Sequence, residues 1–188
     1  MRQPRQSRAA SGEAEGALSR VVDVVRTYLE LRSPSQLRAS TVDDPSVQYV
    51  WRGDISTEHY RRLYKSVGDK WYWHDRNAWS EDRLASYLAS PNITVWELLA
   101  ANESAGFFEL AKHDDGSVEI AYFGLAGPFI GRGLGKAMLT RAAQEAWSLA
   151  PARVWLHTCT LDSPHALPNY LARGFEKTRT ENLRVAIE

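Results

Sequence analysis

Three glycines at alternate positions, Gly131, Gly133 and Gly135, are suited to binding a phosphate or pyrophosphate. They follow a strand-like stretch over 118–125 and precede a helical pattern, so main-chain N–H groups at the positive end of a helix would face the anion. Glycine suits such a turn because it reaches positive φ without strain and lets a bulky anion approach the main chain. The carboxylate of Glu119 lies upstream in the same stretch and is a candidate proton acceptor. These features predict an enzyme that uses a phosphate-bearing cofactor.

The elements that must position these residues are predicted from hydrophobic periodicity. Strands are predicted over 21–31, 47–52, 93–100, 106–113, 118–125, 153–160 and 175–185, and helices over 57–67, 81–88, 133–149 and 166–172. A helix is the alternative over 21–31, because the apolar positions there also suit a helical face. The strands on either side of the long helix are expected to be parallel neighbours with a right-handed crossover. This order of elements predicts a single mixed α/β domain.

The composition of the 188 residues bounds the class of protein. Lys plus Arg equals Asp plus Glu at 23 each, so a basic surface for nucleic acid is not indicated. No apolar run approaches the length of a membrane span. Cys159 is the only cysteine, which excludes an intrachain disulfide and suits the cytoplasm. We expect a disordered tail over 1–16 and one domain over 17–188.

The spacing of the glycines excludes two common phosphate motifs. A Walker loop requires Ser or Thr after its lysine, and Lys136 is followed by Ala137. The dinucleotide fingerprint requires its last two glycines three positions apart, whereas these glycines alternate. The segment Ile130-Gly-Arg-Gly133-Leu-Gly135 resembles motif A of the GNAT superfamily of acyl-coenzyme A-dependent acyltransferases. Ile130 departs from that motif, in which the first position is Arg or Gln.

A second segment, Ala166-Leu-Pro-Asn-Tyr170-Leu-Ala-Arg-Gly174-Phe175, resembles the closing signature of the same superfamily, Ala-x-x-x-Tyr-x-x-x-Gly-Phe. Ser163 stands where the family usually has Asn. At the level of element order the resemblance covers roughly residues 20–185. It implies the GNAT-like fold, a central and mostly antiparallel twisted sheet with a splayed parallel pair of strands around the glycine-turn helix.

The resemblance implies acetyl-CoA as co-substrate and no metal. In the family the pyrophosphate is held mainly by main-chain N–H groups, and the five scattered histidines of this chain show no spacing typical of zinc ligands. The residues expected to bind the cofactor are Phe123, Gly124, Leu125, Ile130, Gly131, Arg132, Gly133, Leu134, Gly135, Lys136, Ser163 and Asn169.

The implied reaction is attack of an amine on an acyl thioester, and a protonated amine must first lose a proton. Glu119 lies fourteen residues before Gly133, which matches the catalytic glutamate of the histone-acetyltransferase branch of the superfamily. Apolar neighbours on the strand would raise its pKa and make it a better base. The alternative is a structural carboxylate paired to an arginine. Tyr170 matches the family tyrosine that protonates the leaving thiolate, and a main-chain N–H group over 124–126 would stabilise the oxyanion.

Cys159 offers a rival mechanism in which the thiol is the nucleophile. His157 lies two residues away, and on a strand the two side chains share a face. A lone buried cysteine is more often inert packing, and the sequence offers no third residue to orient the pair. Direct transfer without an acyl-enzyme is therefore the favoured mechanism.

A polar-aromatic loop over 71–79 is expected to form the acceptor pocket, because the family binds its acceptor beneath the early helices. Aromatic faces hold a cation or a flat ring, and Asp75 would take the charge of the amine. The tryptophans of the loop are equally suited to core packing. The residues expected to contact the acceptor are Trp71, Trp73, Asp75, Arg76, Trp79, Glu109 and His157.

We therefore expect an N-acetyltransferase that acts on a small primary amine or amino-acid-like acceptor. A protein lysine or a peptide amino terminus is the alternative acceptor. A non-catalytic acyl-CoA-binding regulatory module is the alternative class: Ile130 and Ser163 favour it, whereas Glu119 and Tyr170 argue against it. A second copy of the chain, in a homodimer, is a further candidate partner, and neither nucleic acid nor a membrane is expected.

Overall fold

A computed structural model describes residues 20–187, and the predicted tail over 1–16 lies outside the described residues. The strands are β1 (Arg20–Leu31), β2 (Val47–Trp51), β3 (Ile93–Ala100), β4 (Glu103–Lys112), β5 (Val118–Leu125), β6 (Val154–Cys159) and β7 (Glu176–Ile187). The helices are α1 (Thr57–Gly68), α2 (Glu81–Leu88), α3 (Leu134–Ser148) and α4 (Ala166–Ala172). The order of elements agrees with the prediction. The helix alternative for the first element is wrong, because β1 pairs along both of its edges.

The seven strands form one sheet in the order β2-β3-β4-β5-β6-β1-β7. The neighbours are antiparallel except for β5 and β6, which are parallel. Their pairing covers Val118 with Val154 and Glu119 with Trp155, although β5 continues to Leu125. The predicted parallel pair is thus confirmed, and its two strands separate beyond Glu119. No helix among residues 20–187 has the length and apolar character needed to cross a membrane.

The sheet separates two hydrophobic clusters. Consecutive residues Phe107 and Phe108 of β4 belong to different clusters, as strand alternation requires. On the face covered by α1 and α2 the buried residues are Tyr60, Leu63, Tyr64, Val67, Leu84, Val95 and Phe107. On the other face α3 and α4 contribute to a larger cluster that includes Leu134, Met138, Leu139, Ala142, Leu156, Tyr170 and Phe175. Burial of these side chains supplies the main driving force for the fold.

Serine caps fix the starts of the two early helices. Ser56 accepts a hydrogen bond from the His59 N–H at 3.2 Å, and Ser80 accepts one from the Arg83 N–H at 3.3 Å. Each bond satisfies an N–H group that the first turn of a helix leaves unpaired. The loop over 69–79 lies between the end of α1 and the Ser80 cap of α2, and it contains most of the predicted acceptor residues.

Gly174 of the closing signature holds the end of α4 against the segment that follows β1. Its φ is +95°, and a Cβ added there would lie 2.0 Å from the main-chain oxygen of Gln36. The neighbouring carbonyl of Arg173 accepts a hydrogen bond from the Arg38 N–H at 3.0 Å. Glycine is therefore required here both by the backbone conformation and by the close approach of another main chain.

We expect Gly174→Ala to reduce the free energy of unfolding by more than about 2 kcal/mol, since left-handed backbone costs alanine about 1–2 kcal/mol and the contact adds to it. Gly116→Ala is the matched control, because Gly116 has a φ of +75° and no atom within 4 Å of an added Cβ. Denaturant unfolding of both variants measures the difference. Equal losses in the two variants would contradict the close contact at Gly174.

Candidate active site

A cavity of about 950 Å³ lies where β5 and β6 separate. Its walls come from β5, β6, the glycine turn, α4 and the loop that follows α1. Its volume is in the range of small-molecule and cofactor sites. The predicted site residues that line it are Trp71, Trp73, Asp75, Arg76, Glu119, Phe123, Gly124, Leu125, Ile130, Gly131, Gly133, Gly135, Lys136, His157, Ser163, Asn169 and Tyr170. The structure thus brings both predicted catalytic residues and most predicted contact residues to one cavity.

Four residues with predicted contacts lie outside this lining. Leu134 is 4% exposed and packs in the core beneath α3, and the Glu109 side chain is fully buried. The guanidinium of Arg132 lies 4.9 Å from the Phe129 ring, and Trp79 packs with the aromatic cluster next to α2. The side chains of Leu134 and Glu109 therefore do not reach a ligand in the cavity, because both point into the core.

The glycine turn has the backbone geometry that its sequence indicates. Gly131 and Gly133 have φ values of +85° and +77°, and Gly133 is the N-cap of α3. Gly135 has an ordinary φ, and a Cβ there would lie 3.6 Å from Leu125. The first N–H groups of a helix have no intrahelical acceptor. They are available at this cavity wall, next to the exposed side chain of Lys136.

The short helix α4 closes the cavity beside this turn. The Asn169 side chain donates a hydrogen bond to the main-chain oxygen of Gly135 at 3.3 Å, which ties α4 to the first turn of α3. Ser163, just before α4, lines the same wall. Ile130, at the position where the motif usually has Arg or Gln, is 43% exposed. An apolar side chain at this exposed site offers no hydrogen bond to an anion.

Beyond Glu119, β6 separates from β5, so one edge of β5 has no strand paired to it. The Ala126 N–H donates to Ala105 O at 2.9 Å, so it is not the free N–H group predicted over 124–126. Donors on an antiparallel strand alternate between its two edges. The register places Phe123 and Leu125 at the non-bonded positions, and their N–H groups face the gap between β5 and β6.

Glu119 lies at the point where the two strands part. Its side chain is 14% exposed, and its Oε2 lies 3.0 Å from His113 Nε2 while Oε1 lies 3.9 Å from His157 Nε2. Burial raises the pKa of the Glu119 carboxyl, and the hydrogen bond from His113 partly offsets this. Both of its close basic neighbours among residues 20–187 are histidines, so the alternative of an arginine-paired structural carboxylate is not observed.

His113 is a functional candidate that the sequence analysis did not select. Ala111 is the register partner of Glu119, and His113 stands two residues further along, on the same face and diagonal to Glu119. The Asp-Asp-Gly sequence over 114–116 is typical of a tight turn between two strands. His113 and Glu119 flank this turn on two adjacent strands, so the sequence alone indicated that their side chains lie close together.

We expect His113→Ala to move the acidic limb of the pH–rate profile to higher pH. The histidine favours the ionised form of Glu119, so its loss lets the pKa of Glu119 rise further and protonates the base at a higher pH. His113→Gln is the matched control, because its amide can still donate to the carboxylate. Profiles of kcat/KM over pH measure both variants, and an unmoved limb in His113→Ala would contradict the contact.

Tyr170 has the properties of a proton donor. Its side chain is 6% exposed, and burial raises the pKa of its hydroxyl, so it stays protonated near neutral pH. Its ring lies 6.1 Å from the Phe123 ring and 6.3 Å from the Phe175 ring. Among residues 20–187 no hydrogen bond contributes to the pKa shift of this hydroxyl. It is therefore free to donate to a ligand in the cavity.

Cys159 lacks the environment of a nucleophile. Burial raises the pKa of its thiol, which favours the unreactive protonated form. Its N–H donates to the Asp162 carboxylate at 2.8 Å. His157 shares the cavity wall, but burial lowers the pKa of His157, so no imidazolium stabilises a thiolate. The geometry favours direct transfer over a cysteine mechanism.

The aromatic loop is held by a buried polar network around Glu109. The hydroxyls of Tyr60 and Tyr87 each donate to the Glu109 carboxylate at 2.5 Å, and Arg76 Nη2 donates at 3.2 Å. The Arg76 guanidinium also lies 4.0 Å from the ring centroid of Trp79. Arg76 and Trp79 therefore hold the loop in place, while the Glu109 carboxylate has no free face for a ligand.

The remaining loop residues divide between core and cavity. The Trp73 ring packs 5.0 Å from Tyr122 and belongs to the edge of the core beneath α1, although it also touches the cavity. Tyr122, which the sequence analysis missed, donates to the exposed Asp75 carboxylate at 3.3 Å. Trp71 and Asp75 remain at the cavity surface. They are the loop residues best placed to meet a ligand.

Comparison with known protein families identifies the family of this chain. Residues 55–175 match the model of the acetyltransferase (GNAT) family. The chain belongs to the GNAT family. The matched segment contains Glu119, the glycine turn and Tyr170, so the family inferred from the two motifs is confirmed. A comparison with curated protein sequences finds no match.

Solved structures of GNAT proteins share the fold. A GCN5-related N-acetyltransferase from Kribbella flavida is 18% identical with a TM-score of 0.62, over 89% of this chain and 60% of that protein. The chain thus spans less than two thirds of the length of that relative. A Bacillus subtilis acetyltransferase in complex with CoA is 21% identical with a TM-score of 0.53, over 69% and 76% of the two chains. An aminoglycoside acetyltransferase from a soil metagenome, in complex with trehalose, is 15% identical with a TM-score of 0.58, over 69% and 88%.

Proposed function

We propose that this GNAT protein transfers an acetyl group from acetyl-CoA to the primary amine of a small acceptor. The observation that carries the proposal is the place of Glu119. Its carboxylate has a raised pKa and lines the same cavity as the glycine turn. Transfer from acetyl-CoA to an amine requires a base for the amine and an anion site for the coenzyme, and this cavity contains a candidate for each.

The residues of the cavity fit acetyl-CoA. The positive-φ glycines and the free N–H groups at the start of α3 suit the pyrophosphate, and Lys136 adds a cation beside them. The gap-facing N–H groups of Phe123 and Leu125 are the donors available to the thioester oxygen and to the amide groups of the coenzyme. The main-chain N–H groups of the turn would bind the pyrophosphate without a side-chain donor at position 130, where the motif usually has Arg or Gln and this chain has Ile130.

The transfer proceeds by direct attack. Glu119 accepts the proton of the acceptor ammonium, the amine nitrogen attacks the thioester carbon, and the tetrahedral oxyanion takes a hydrogen bond from the β5 main chain. Collapse of this intermediate breaks the carbon–sulfur bond. Tyr170 donates its proton to the leaving thiolate, and the second proton of the amine nitrogen leaves as the amide forms and restores the Tyr170 hydroxyl. The products are an N-acetyl amide and the free thiol, and Glu119 releases its proton to solvent.

We expect Tyr170→Phe to lower kcat by about tenfold, because a leaving thiolate with a pKa of about 8.5 requires modest help. The KM for acetyl-CoA should stay close to that of the wild type, since the ring and its packing are retained. Steady-state kinetics measures both constants. A rise in KM with kcat unchanged would assign Tyr170 to binding rather than to proton donation.

A small amine is the acceptor that the surroundings of Glu119 favour. Asp75 is exposed at the cavity wall and can pair with an ammonium group, and the neighbouring indole of Trp71 offers a flat face. One structural relative is an aminoglycoside acetyltransferase, and aminoglycosides are small polyamines.

The proposal is tested by release of free thiol from acetyl-CoA in the presence of a panel of small amines, amino acids and lysine peptides. We expect turnover with at least one small amine and an acetylated product of the corresponding mass. Coenzyme binding by calorimetry without turnover on any amine would favour a regulatory module. Turnover confined to the peptides would overturn the small-acceptor assignment.

A further inference from the structure

We propose that Arg26 forms an anion subsite in the acceptor half of the cavity, so that the preferred acceptor carries a carboxylate or similar anion several bonds away from its amine. This inference rests on the proposed function and narrows its substrate class. Arg26 stands on β1, which the sheet inserts between β6 and β7. The family match begins at residue 55, so this arginine lies outside the segment that the family model describes.

Arg26 faces the same space as Glu119. Its register partner is Cys159, and His157 is opposite Tyr28 on the same pair of strands. Side chains at these alternate positions share one face of the sheet. Arg26, His157 and Cys159 all line the cavity, which agrees with that alternation. The arginine is therefore a wall of the cavity rather than part of an outer surface.

The guanidinium of Arg26 is without an ion-pair partner in the described part of the chain. Its Nε is shielded from solvent and forms no hydrogen bond there. Glu181 stands directly across from Arg26 on β7, but its carboxylate accepts the Tyr28 hydroxyl at 2.9 Å. Arg76, by contrast, already pairs with Glu109. Tyr28 and Glu181 lie close enough to raise the pKa of Arg26, but its partly buried Nε has no hydrogen bond in the described part of the chain. Such a guanidinium is a favourable site for an anionic ligand group.

The strand register determines how long an acceptor must be to contact both Glu119 and Arg26. Glu119 is opposite Trp155, whereas Arg26 is opposite Cys159. Four residues along β6 correspond to about 13 Å at about 3.3 Å per residue. An α-amino group and its own carboxylate, which share one carbon, cannot reach both residues, whereas an ω-amine on a carbon chain can.

The coenzyme does not account for this arginine. The main-chain donors suited to the pyrophosphate lie at the start of α3, which packs on the opposite face of the sheet from Glu119. Val24 and Val185 line the cavity beyond Arg26, on the side away from Glu119. Between Glu119 and Arg26 the same face of the sheet carries Tyr28 and His157. The expected acceptor thus has an amine and a carboxylate separated by a chain of several bonds.

The test is calorimetric binding in the presence of CoA, which requires no turnover. The ligands are ω-amino acids from 4-aminobutanoate to 8-aminooctanoate, each compared with the n-alkylamine of the same chain length. We expect the wild type to prefer the amino acid by about tenfold at one chain length. Arg26→Gln should abolish that preference, and Arg26→Lys should retain part of it. The affinity for the alkylamines should be unchanged in both variants.

Arg184→Gln is the matched control, because Arg184 is an exposed arginine on the neighbouring strand, 78% exposed as a side chain and outside the lining. Equal preference in the wild type and Arg26→Gln would overturn the anion subsite. A loss of CoA affinity in Arg26→Gln, with the preference intact, would assign Arg26 to the coenzyme and overturn it too. Thiol release with alkylamines, without any preference for a carboxylate, would leave the proposed function standing and refute this inference alone.

Discussion

Glu119→Gln is expected to lower kcat/KM by about 10²- to 10⁴-fold near neutral pH, the range that general-base catalysis contributes. Glutamine keeps the shape of the side chain and removes its capacity to accept a proton. In the wild type, burial raises the pKa of Glu119, so activity should fall as the pH is lowered through a value above that of an ordinary glutamate. Below that pH the carboxyl is protonated and cannot deprotonate the ammonium.

The pH profile separates a base from a structural carboxylate. The variant should lack the acidic limb of the wild type and show a low rate that depends less on pH. Glu103→Gln is the control, because Glu103 is an exposed carboxylate at the start of β4. A profile of Glu119→Gln that overlays the wild type would show that another group removes the proton.

The second large effect is on stability. Glu109→Ala is expected to lower the free energy of unfolding by about 3–5 kcal/mol, because it leaves the Arg76 guanidinium in the interior without its counter-charge. The same change removes the acceptor of the Tyr60 and Tyr87 hydroxyls, which donate at 2.5 Å each. Since Arg76 anchors the loop over 71–79, acceptor binding should weaken as well.

A double-mutant cycle isolates the buried charge pair. Arg76→Met in the Glu109→Ala background removes the stranded cation, so it should recover part of the lost free energy of unfolding. Denaturant unfolding of the single and double variants measures the recovery. Additive losses in the double variant would show that the two residues do not depend on each other and would contradict the network.

The local parts of the site were predictable from the sequence. Alternating glycines specify a turn with positive φ, and Gly131 and Gly133 adopt it. The strand–helix–strand order specifies a parallel crossover, which the pairing of β5 with β6 confirms. The periodicity also predicted the starts of α1 and α2, at residues 57 and 81, and the structure confirms both. These signals are local, since each depends on the conformational preferences of a few neighbouring residues.

The non-local parts were not predictable. A β-bulge places Glu109 opposite Tyr122 and Leu110 opposite Ile120, with Ala121 as the extra residue. It puts Tyr122 on the same face as Glu119, and nothing in the local sequence marks it. Glu109 was predicted at the acceptor because β4 lies beside β5. Its burial depends on how α1 and α2 cover the sheet, and periodicity does not determine that packing.

The measurement that tests the account most directly is a crystal structure of the protein with acetyl-CoA. We predict the pyrophosphate at the N–H groups over 131–136 and the thioester oxygen within hydrogen-bond distance of the Phe123 or Leu125 N–H. The acetyl carbon should lie in the same cavity as the Glu119 carboxylate, with the sulfur near the Tyr170 hydroxyl. A coenzyme bound away from the glycine turn, or an acetyl group separated from Glu119 by the sheet, would contradict the proposed transfer.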